Sequence, residues 1–269
     1  MSLGVLNNIS AVYAENNLGQ TQNSLQKTLQ QLSSGSRINS GADDAAGLSL
    51  ANGLEASSAA LTQSAKNASE GVDFLQVADG ALSQVTTLLN RAVTLATEAS
   101  NGVLNTSQAS AADAEYQQIL TEVGNIDTNT EYNGINVFSS AANIFTSDGT
   151  LTQTDSATAL GSVVTAVNLT GNLTTTAGAT TELAAITTAI SSIATERGTD
   201  GAQINTLQAV SNVMSTESTN TLSAENDVMA TDYGQATSDM SKYQILMQTG
   251  IAALAQANSS QQLVTKLLQ

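Results

Sequence analysis

The chain has 269 residues, carries 7 basic against 23 acidic side chains for a formal charge of −16, and contains no His, Cys, Pro or Trp. The absence of His and Cys excludes a Ser-His-Asp triad, a Cys nucleophile and a zinc site with the usual nitrogen and sulfur ligands, so no catalytic, cofactor or metal residues are expected. The scarcity of Lys and Arg argues against nucleic-acid binding, since phosphate neutralisation needs clustered basic residues.

The first predicted element is a helix whose apolar stripe consists of Leu18, Leu25, Leu29 and Leu32. Long uninterrupted helices are favoured throughout, because the chain lacks proline, which breaks helix interiors. The first ten residues have neither a basic region nor an apolar core, so we expect no secretory signal peptide. No run of 18 apolar residues occurs, so we expect no membrane span.

The clearest periodicity predicts a long second helix. Its apolar positions alternate steps of three and four, the heptad pattern of helices packed side by side: Leu75, Ala78, Leu82, Val85, Leu89, Ala92, Ala96 and Ala99. Ser40 and Asp43 match a capping box, and Asn101-Gly102 matches a C-cap. The spacing therefore predicts a helix from about Asp43 to Ser100. The adjacent acidic residues Asp43-Asp44 indicate a helix start better than an acid/base pair.

A third helix is predicted from a second capping pattern, between Ser110 and Asp113. Its predicted buried face consists of Tyr116, Ile119, Val123 and Ile126. The dipeptide Asn133-Gly134 after it is a strong signal for a tight turn.

From Phe138 to about Thr181 the chain is rich in Thr, Ser, Gly and Asn, which predicts a loose or β-like segment. Asp148-Gly149 indicates a hairpin turn. A β-type alternation follows at Val163, Thr165, Val167 and Leu169. Helical spacing returns at Leu183, and the two glycines within 197–201 predict either a kink or a tolerated bend.

The last helix carries a second terminal stripe, formed by Tyr243, Met247, Leu254, Val264 and Leu268. From the residues alone, two interpretations of the terminal stripes remain equally open. The two helices could complete a core within one molecule, or they could form a surface for polymerisation, since a two-helix pair leaves apolar side chains uncovered.

Both ends of the chain resemble bacterial flagellin. Residues 32–52, LSSGSRINSGADDAAGLSLAN, are similar to its N-terminal signature. Residues 239–250, DMSKYQILMQTG, and 254–258, LAQAN, are similar to its C-terminal signature. Two such motifs in this order at opposite ends are specific, and the resemblance covers roughly residues 1–138 and 183–269.

The resemblance implies a mainly α fold, a long antiparallel helical bundle or coiled-coil rod with paired N- and C-terminal helices and a small β-rich insertion. It implies an inner coiled-coil domain of residues 1–42 and 226–269, which forms the filament core. It also implies a helical rod domain of residues 43–138 and 183–225. The remaining residues, 139–182, would form a short outer insertion that resembles a β-hairpin.

By the same resemblance, the chain would be a secreted, extracellular structural subunit that polymerises with itself into the flagellar filament. Self-assembly would then use the two terminal stripes. Expected partners are a flagellar export chaperone, the type III-like flagellar secretion apparatus, and the filament cap and hook-junction proteins. Neither a membrane nor a nucleic acid is expected as a partner. The Ser/Thr-rich insertion is compatible with O-glycosylation and with a plain polar hairpin.

Two basic residues, Arg91 and Arg37, have alternative interpretations. The resemblance implies that Arg91 and Leu95 contact the innate flagellin receptor of animals, with Gln118 at the position where relatives carry an acidic residue. The alternative for Arg91 is a solvated charge at the edge of the helix. Arg37 either anchors a turn by carboxylate pairing or is a solvated cation.

Two other classes compete with the filament subunit. A hook–filament junction protein shares the helical architecture, although both signatures match flagellin more closely. A chemoreceptor-like signalling hairpin would place its sharpest helical turn in mid-chain and would usually carry membrane spans. The β-like middle of this chain argues against the second alternative.

Overall fold

The computed structural model describes residues 8–139, 143–146, 149–152 and 171–267. These residues form five helices and two short hairpins: α1 (Ile9–Ser34), α2 (Ala45–Ser100), α3 (Thr106–Asn129), β1 (Glu131–Tyr132), β2 (Ile135–Asn136), β3 (Asn143–Thr146), β4 (Gly149–Thr152), α4 (Thr176–Met229) and α5 (Tyr233–Leu267). The predicted mainly α fold, with paired terminal helices and a small β-rich insertion, is confirmed.

Helix α2 spans almost the predicted length, but its cap differs from the predicted one. Asp44, not Ser40, caps the helix, because its Oδ1 accepts a hydrogen bond from the Gly47 N–H at 2.8 Å. The carboxylate of Asp43 instead accepts bonds from the backbone N–H groups of Asn39 and Ser40, which closes the turn before the helix. At the other end, Gly102 has a φ of 70°, as its predicted C-cap role requires.

The predicted start of α3 is wrong. A capping box formed by Asn105 and Gln108 begins the helix, so Ser110 and Asp113 lie inside it. Asp113 has a different role, because its Oδ1 accepts the Leu173 N–H at 2.7 Å. The buried face is as predicted, with Tyr116 fully buried.

The two hairpins are antiparallel. In the first, Asn133 and Gly134 take φ values of 51° and 76°, the left-handed pair that a type I′ turn requires, which confirms the predicted turn. The second pairs β3 with β4, with Thr146 opposite Gly149, so Gly149 begins β4 and is not the turn residue that was predicted. Asp148 lies outside the described residues, as does the predicted alternation over 163–169.

Helix α4 begins at Thr176, seven residues before the predicted Leu183, because Thr175 Oγ1 accepts the Gly178 N–H at 3.1 Å and caps it. The segment 197–201 stays helical. Its two glycines therefore do not end the helix, and the choice between a kink and a tolerated bend stays a prediction.

The chain divides into two compact units. The first, called here the terminal unit, comprises Met1–Ala56 and Asn220–Gln269, and the second, called the central unit, comprises Ser57–Thr219. In the central unit, side chains of α2, α3 and α4 share one buried cluster that includes the whole predicted heptad from Leu75 to Ala99. Tyr116, a member of this cluster, donates a 2.7 Å hydrogen bond to the buried carboxylate of Glu182.

Candidate functional site

Helices α1 and α5 of the terminal unit run antiparallel and pack against each other. Near one end of the pair, the Asn8 side chain donates a hydrogen bond to the Ala257 carbonyl oxygen at 3.0 Å. Further along, a Cβ placed on Gly250 would lie 3.9 Å from the Cβ of Leu18. These two contacts fix which residues of the helices are opposite one another.

The helices meet along a stripe that we call the terminal seam. Its α1 positions, half-buried or buried at steps of three and four residues, are Ala11, Ala14, Leu18, Thr21, Leu25, Thr28 and Leu32. Its α5 positions are Ala236, Met240, Tyr243, Met247, Gly250, Leu254, Ala257 and Gln261. Large and small side chains therefore alternate along the seam, as in a two-stranded coiled coil.

The structure divides the predicted assembly residues between the seam and the outside. Six of them lie in the terminal seam: Leu18, Leu25, Leu32, Tyr243, Met247 and Leu254. Leu29 lies beside the seam, with 45% of its surface exposed. Val264 falls within the last turns of α5, and Leu268 lies outside the described residues.

A second group of apolar side chains lies outside the seam and is exposed. This outer set, 43–67% exposed, consists of Ile9, Val12, Tyr13, Leu29, Ile245, Leu246 and Ile251. Tyr233, 55% exposed, is not counted in it because its phenol lies against Gly35. Sequence reasoning missed six of the seven because they do not share the heptad spacing. The sequence could have identified them, because large apolar residues remain on both helices once the seam positions have been assigned. Isolated exposed apolar residues are common, but seven on one helix pair form an unusual concentration.

The connection between α1 and α2 is bonded to the connection between α4 and α5. The Arg37 guanidinium donates to the Val228 carbonyl at 2.9 Å, and the Arg37 N–H donates to the Met229 carbonyl at 2.7 Å. The Thr231 N–H returns a bond to the Gly35 carbonyl at 3.0 Å. We call these residues the Arg37 cluster.

Arg37 therefore anchors a turn, but chiefly through backbone carbonyls. The last carbonyls of α4 have no partners within the helix, and a cation close to them is favoured by the helix dipole. The nearest carboxylate oxygen, of Asp44, is 3.8 Å from the guanidinium, so the predicted carboxylate pairing is the weaker of the two interactions.

An ion pair supports the same turn from α1. Lys27 Nζ lies 2.8 Å from Asp43 Oδ1, and this hydrogen bond, with those from Ser40 and the Asn39 backbone, lowers the pKa of Asp43 to about 2. Asp43 therefore stays ionised well into the acid range. Because the pair is solvent-accessible, its role is to shape the turn rather than to contribute much stability.

In the central unit, Arg91 is engaged by an acidic residue that the sequence analysis did not single out. Its guanidinium forms a bidentate pair with Glu115, at 2.7 and 3.0 Å, which lowers the pKa of the Glu115 carboxyl and raises that of Arg91. Gln118 is exposed, whereas Leu95 is buried with 4% of its surface accessible. The receptor contact stays a prediction.

Within the described ranges, no three His, Cys, Asp or Glu side chains come together in a way that could hold a metal ion. Over the same ranges, every helix is too short or too polar to cross a membrane.

Two protein-family models match the N- and C-terminal helical parts of this chain. A model of the bacterial flagellin N-terminal helical region matches residues 5–143, more than half of the chain. A model of the bacterial flagellin C-terminal helical region matches residues 183–268.

Individual relatives are similar over part of the chain. The phase 1 flagellin of Salmonella naestved and the flagellins of Salmonella dublin and Salmonella enteritidis are each 37% identical over 132 residues. That match covers 49% of this chain and 26% of each relative, so the chain aligns with about a quarter of their length. The crystal structure of Bacillus cereus flagellin is 30% identical, with a TM-score of 0.47 over 55% of this chain and 88% of that one.

Proposed function

The chain belongs to the bacterial flagellin family, and from this premise we propose that it is a structural subunit that polymerises with itself into the flagellar filament. Its role is mechanical rather than catalytic. In this proposal, residues 1–42 and 226–269 form the filament core, residues 43–138 and 183–225 form the rod around it, and residues 139–182 form the outer insertion, whose Ala179 and Glu182 are buried against the rod.

The observation that carries the proposal is the outer set on α1 and α5. The heptad positions of these two helices pack against each other, yet the seven large apolar side chains of the outer set stay exposed. Removing apolar surface from water is favourable by about 25 cal/mol per Å², so a second copy that covers these side chains would gain stability. We therefore assign the contact between copies to the outer set, and the pairing within one copy to the terminal seam.

The kind of assembly follows from how such contacts repeat. A contact between two different surfaces of identical copies gives a ring when its rotation closes and an open helical filament when it does not, and the proposed filament is the second case. The formal charge of −16 opposes close packing of subunits. Salt screens this repulsion, so assembly is expected to be promoted by salt.

The proposal also includes the other expected partners. A flagellar export chaperone would cover the terminal helices before secretion through the type III-like flagellar apparatus. The filament cap and hook-junction proteins would contact the polymer outside the cell. Recognition by the innate flagellin receptor would use the surface around Arg91, with Glu115 as its paired acidic neighbour.

Electron microscopy of the purified full chain tests the proposal. The chain is incubated at rising salt concentration, with seeds of sheared polymer, and sedimentation gives the polymerised fraction. Long helical fibres that increase with salt are the expected result. A chain that stays monomeric with seeds would contradict the proposal and favour the hook–filament junction alternative, since a junction protein does not form long fibres by itself.

A further inference from the structure

The apolar side chains of the terminal seam leave the alignment of its two helices poorly determined. On α1, the large seam residues Leu18, Leu25 and Leu32 are seven positions apart. On α5, the seam residues Met240, Met247 and Leu254 have the same spacing. A shift of one helix by seven residues therefore places apolar side chains opposite apolar side chains again.

Such a shift corresponds to a translation of about 10.5 Å, because each helical residue rises 1.5 Å. Apolar burial is non-directional, so it distinguishes weakly between two alignments with similar apolar contacts. Coiled coils solve the same problem with polar groups at fixed positions, which specify the register. Polar bonds that cannot survive the shift would therefore specify the register of the terminal seam.

The Arg37 cluster provides such bonds. It lies where α1 ends and α5 begins, and it joins residues 35–37 to residues 228–231 in both directions. The phenol of Tyr233, the first residue of α5, lies so close to Gly35 that a Cβ there would be 2.8 Å from its oxygen. A seven-residue shift of α5 would have to break these contacts.

We propose that Arg37 is a positioning residue that fixes the register of α1 against α5. Its side chain and N–H hold the last two carbonyls of α4, so the short connection 230–232 delivers the start of α5 beside the end of α1. Loss of the guanidinium leaves the seam apolar but makes the alignment of its two helices ambiguous. This inference concerns the chain by itself and does not rest on filament formation.

Disulfide competition in the full-length chain tests the inference, because the chain has no natural Cys. The reporter carries Leu18→Cys, Gly250→Cys and Ala257→Cys. In the observed register, residues 18 and 250 have Cβ positions 3.9 Å apart, within the range of disulfides. A seven-residue shift would bring residue 257 opposite residue 18 instead. Mass spectrometry after oxidation gives the ratio of the two products.

In the reporter itself, we expect the 18–250 product to predominate. Adding Arg37→Ala should lower the ratio of the 18–250 to the 18–257 product by about tenfold, the size of effect expected when a charge-assisted hydrogen bond is lost. Arg37→Lys should restore part of the ratio, since Lys keeps the charge but lacks the planar fork. General destabilisation lowers both products together and leaves the ratio unchanged, so the ratio reports register alone.

Lys27→Ala is the matched control. It removes a cation from the same unit, but its partner Asp43 lies on the α1–α2 connection and not on residues 228–231. The inference requires an unchanged product ratio in this variant. An unchanged ratio in Arg37→Ala would overturn it, as would an equal change in Lys27→Ala. If Arg37→Ala yields neither product, the Arg37→Lys variant decides. The inference then requires its ratio of the 18–250 to the 18–257 product to be lower than that of the reporter but still above one.

Discussion

The central unit and the terminal unit repeat apolar residues with the same spacing, but they bury them to different extents. In the central unit, the heptad residues Leu82, Val85 and Leu89 are 0% exposed, because three helices surround them. At the terminal seam two helices meet, and Leu25 is the best-covered leucine of α1 at 9%. The number of helices around a heptad stripe therefore determines how fully its apolar side chains are buried.

The largest expected difference between the units is in the effect of truncating a leucine. Leu89→Ala should lower the free energy of unfolding of the full chain by about 2–5 kcal/mol, because it removes a fully buried side chain and leaves a cavity. Leu29→Ala should change it by less than about 0.5 kcal/mol, because Leu29 is 45% exposed. Urea unfolding followed by circular dichroism measures both. Equal losses would contradict the comparison.

A second test concerns the tightness of the central packing. A Cβ added at Gly71 would clash with Cδ1 of Ile144 and lie 3.1 Å from Cδ1 of Leu207, so Gly71→Ala should destabilise the chain by about 1–3 kcal/mol. Gly80→Ala, in the same helix, meets no atom within 4 Å and should stabilise it by about 0.5–1 kcal/mol. Thermal unfolding separates the two signs. A stabilised Gly71→Ala would show that the hairpin β3–β4 packs loosely on α2.

The buried hydrogen bond of the central unit should appear as a pH effect. Burial, with the bond to Glu182, raises the pKa of the Tyr116 phenol far above its usual value of about 10. The unfolded chain therefore loses this proton at lower pH than the folded chain, so stability should fall as the pH rises above about 10. Tyr116→Phe should flatten this alkaline decline and cost about 1–3 kcal/mol at neutral pH, since Glu182 loses its donor.

The smallest effect is expected at the exposed turn of the terminal unit. The pKa of Asp43 is lowered to about 2, so its contribution to stability is present above a pH of about 4 and is lost as the pH falls towards 2. Asp43→Asn should remove this part of the acid dependence. Unfolding midpoints at pH 5 and at about pH 2.5 measure it, and an unchanged acid dependence in the variant would contradict the assigned pKa.

The sequence predicted the helices and their buried faces better than their beginnings. The burial of the heptad residues from Leu75 to Ala99 was predictable, because apolar residues at this spacing share one helix face, and that face packs against other helices. The start of α3 was misplaced because Ser110 and Asp113 match a capping pattern that also occurs inside helices. Asn105 and Gln108 satisfy the same pattern three residues apart and lie where the helix actually begins.

The residues of the terminal seam could be predicted from the sequence, but the way they are arranged could not. Spacing alone identified Leu18 and Leu254 as apolar stripe positions, but it could not reveal that each stripe would be used within one copy. That depends on which helix pairs with which, a long-range property. The bond from Arg37 to the Val228 carbonyl was equally hidden, because it joins residues 191 positions apart through a backbone atom that every residue possesses.

The most direct test of the division between seam and outer set is the critical concentration for fibre growth of the double variant Ile245→Ser, Ile251→Ser. Both residues are more than half exposed, at 60% and 54%, so the monomer's unfolding midpoint should be unchanged. The critical concentration should rise by about tenfold or more, because each burial of an Ile side chain between copies contributes about 1.5–3 kcal/mol. Fibres that grow at the parent's critical concentration would contradict the assignment of the outer set to the contact between copies.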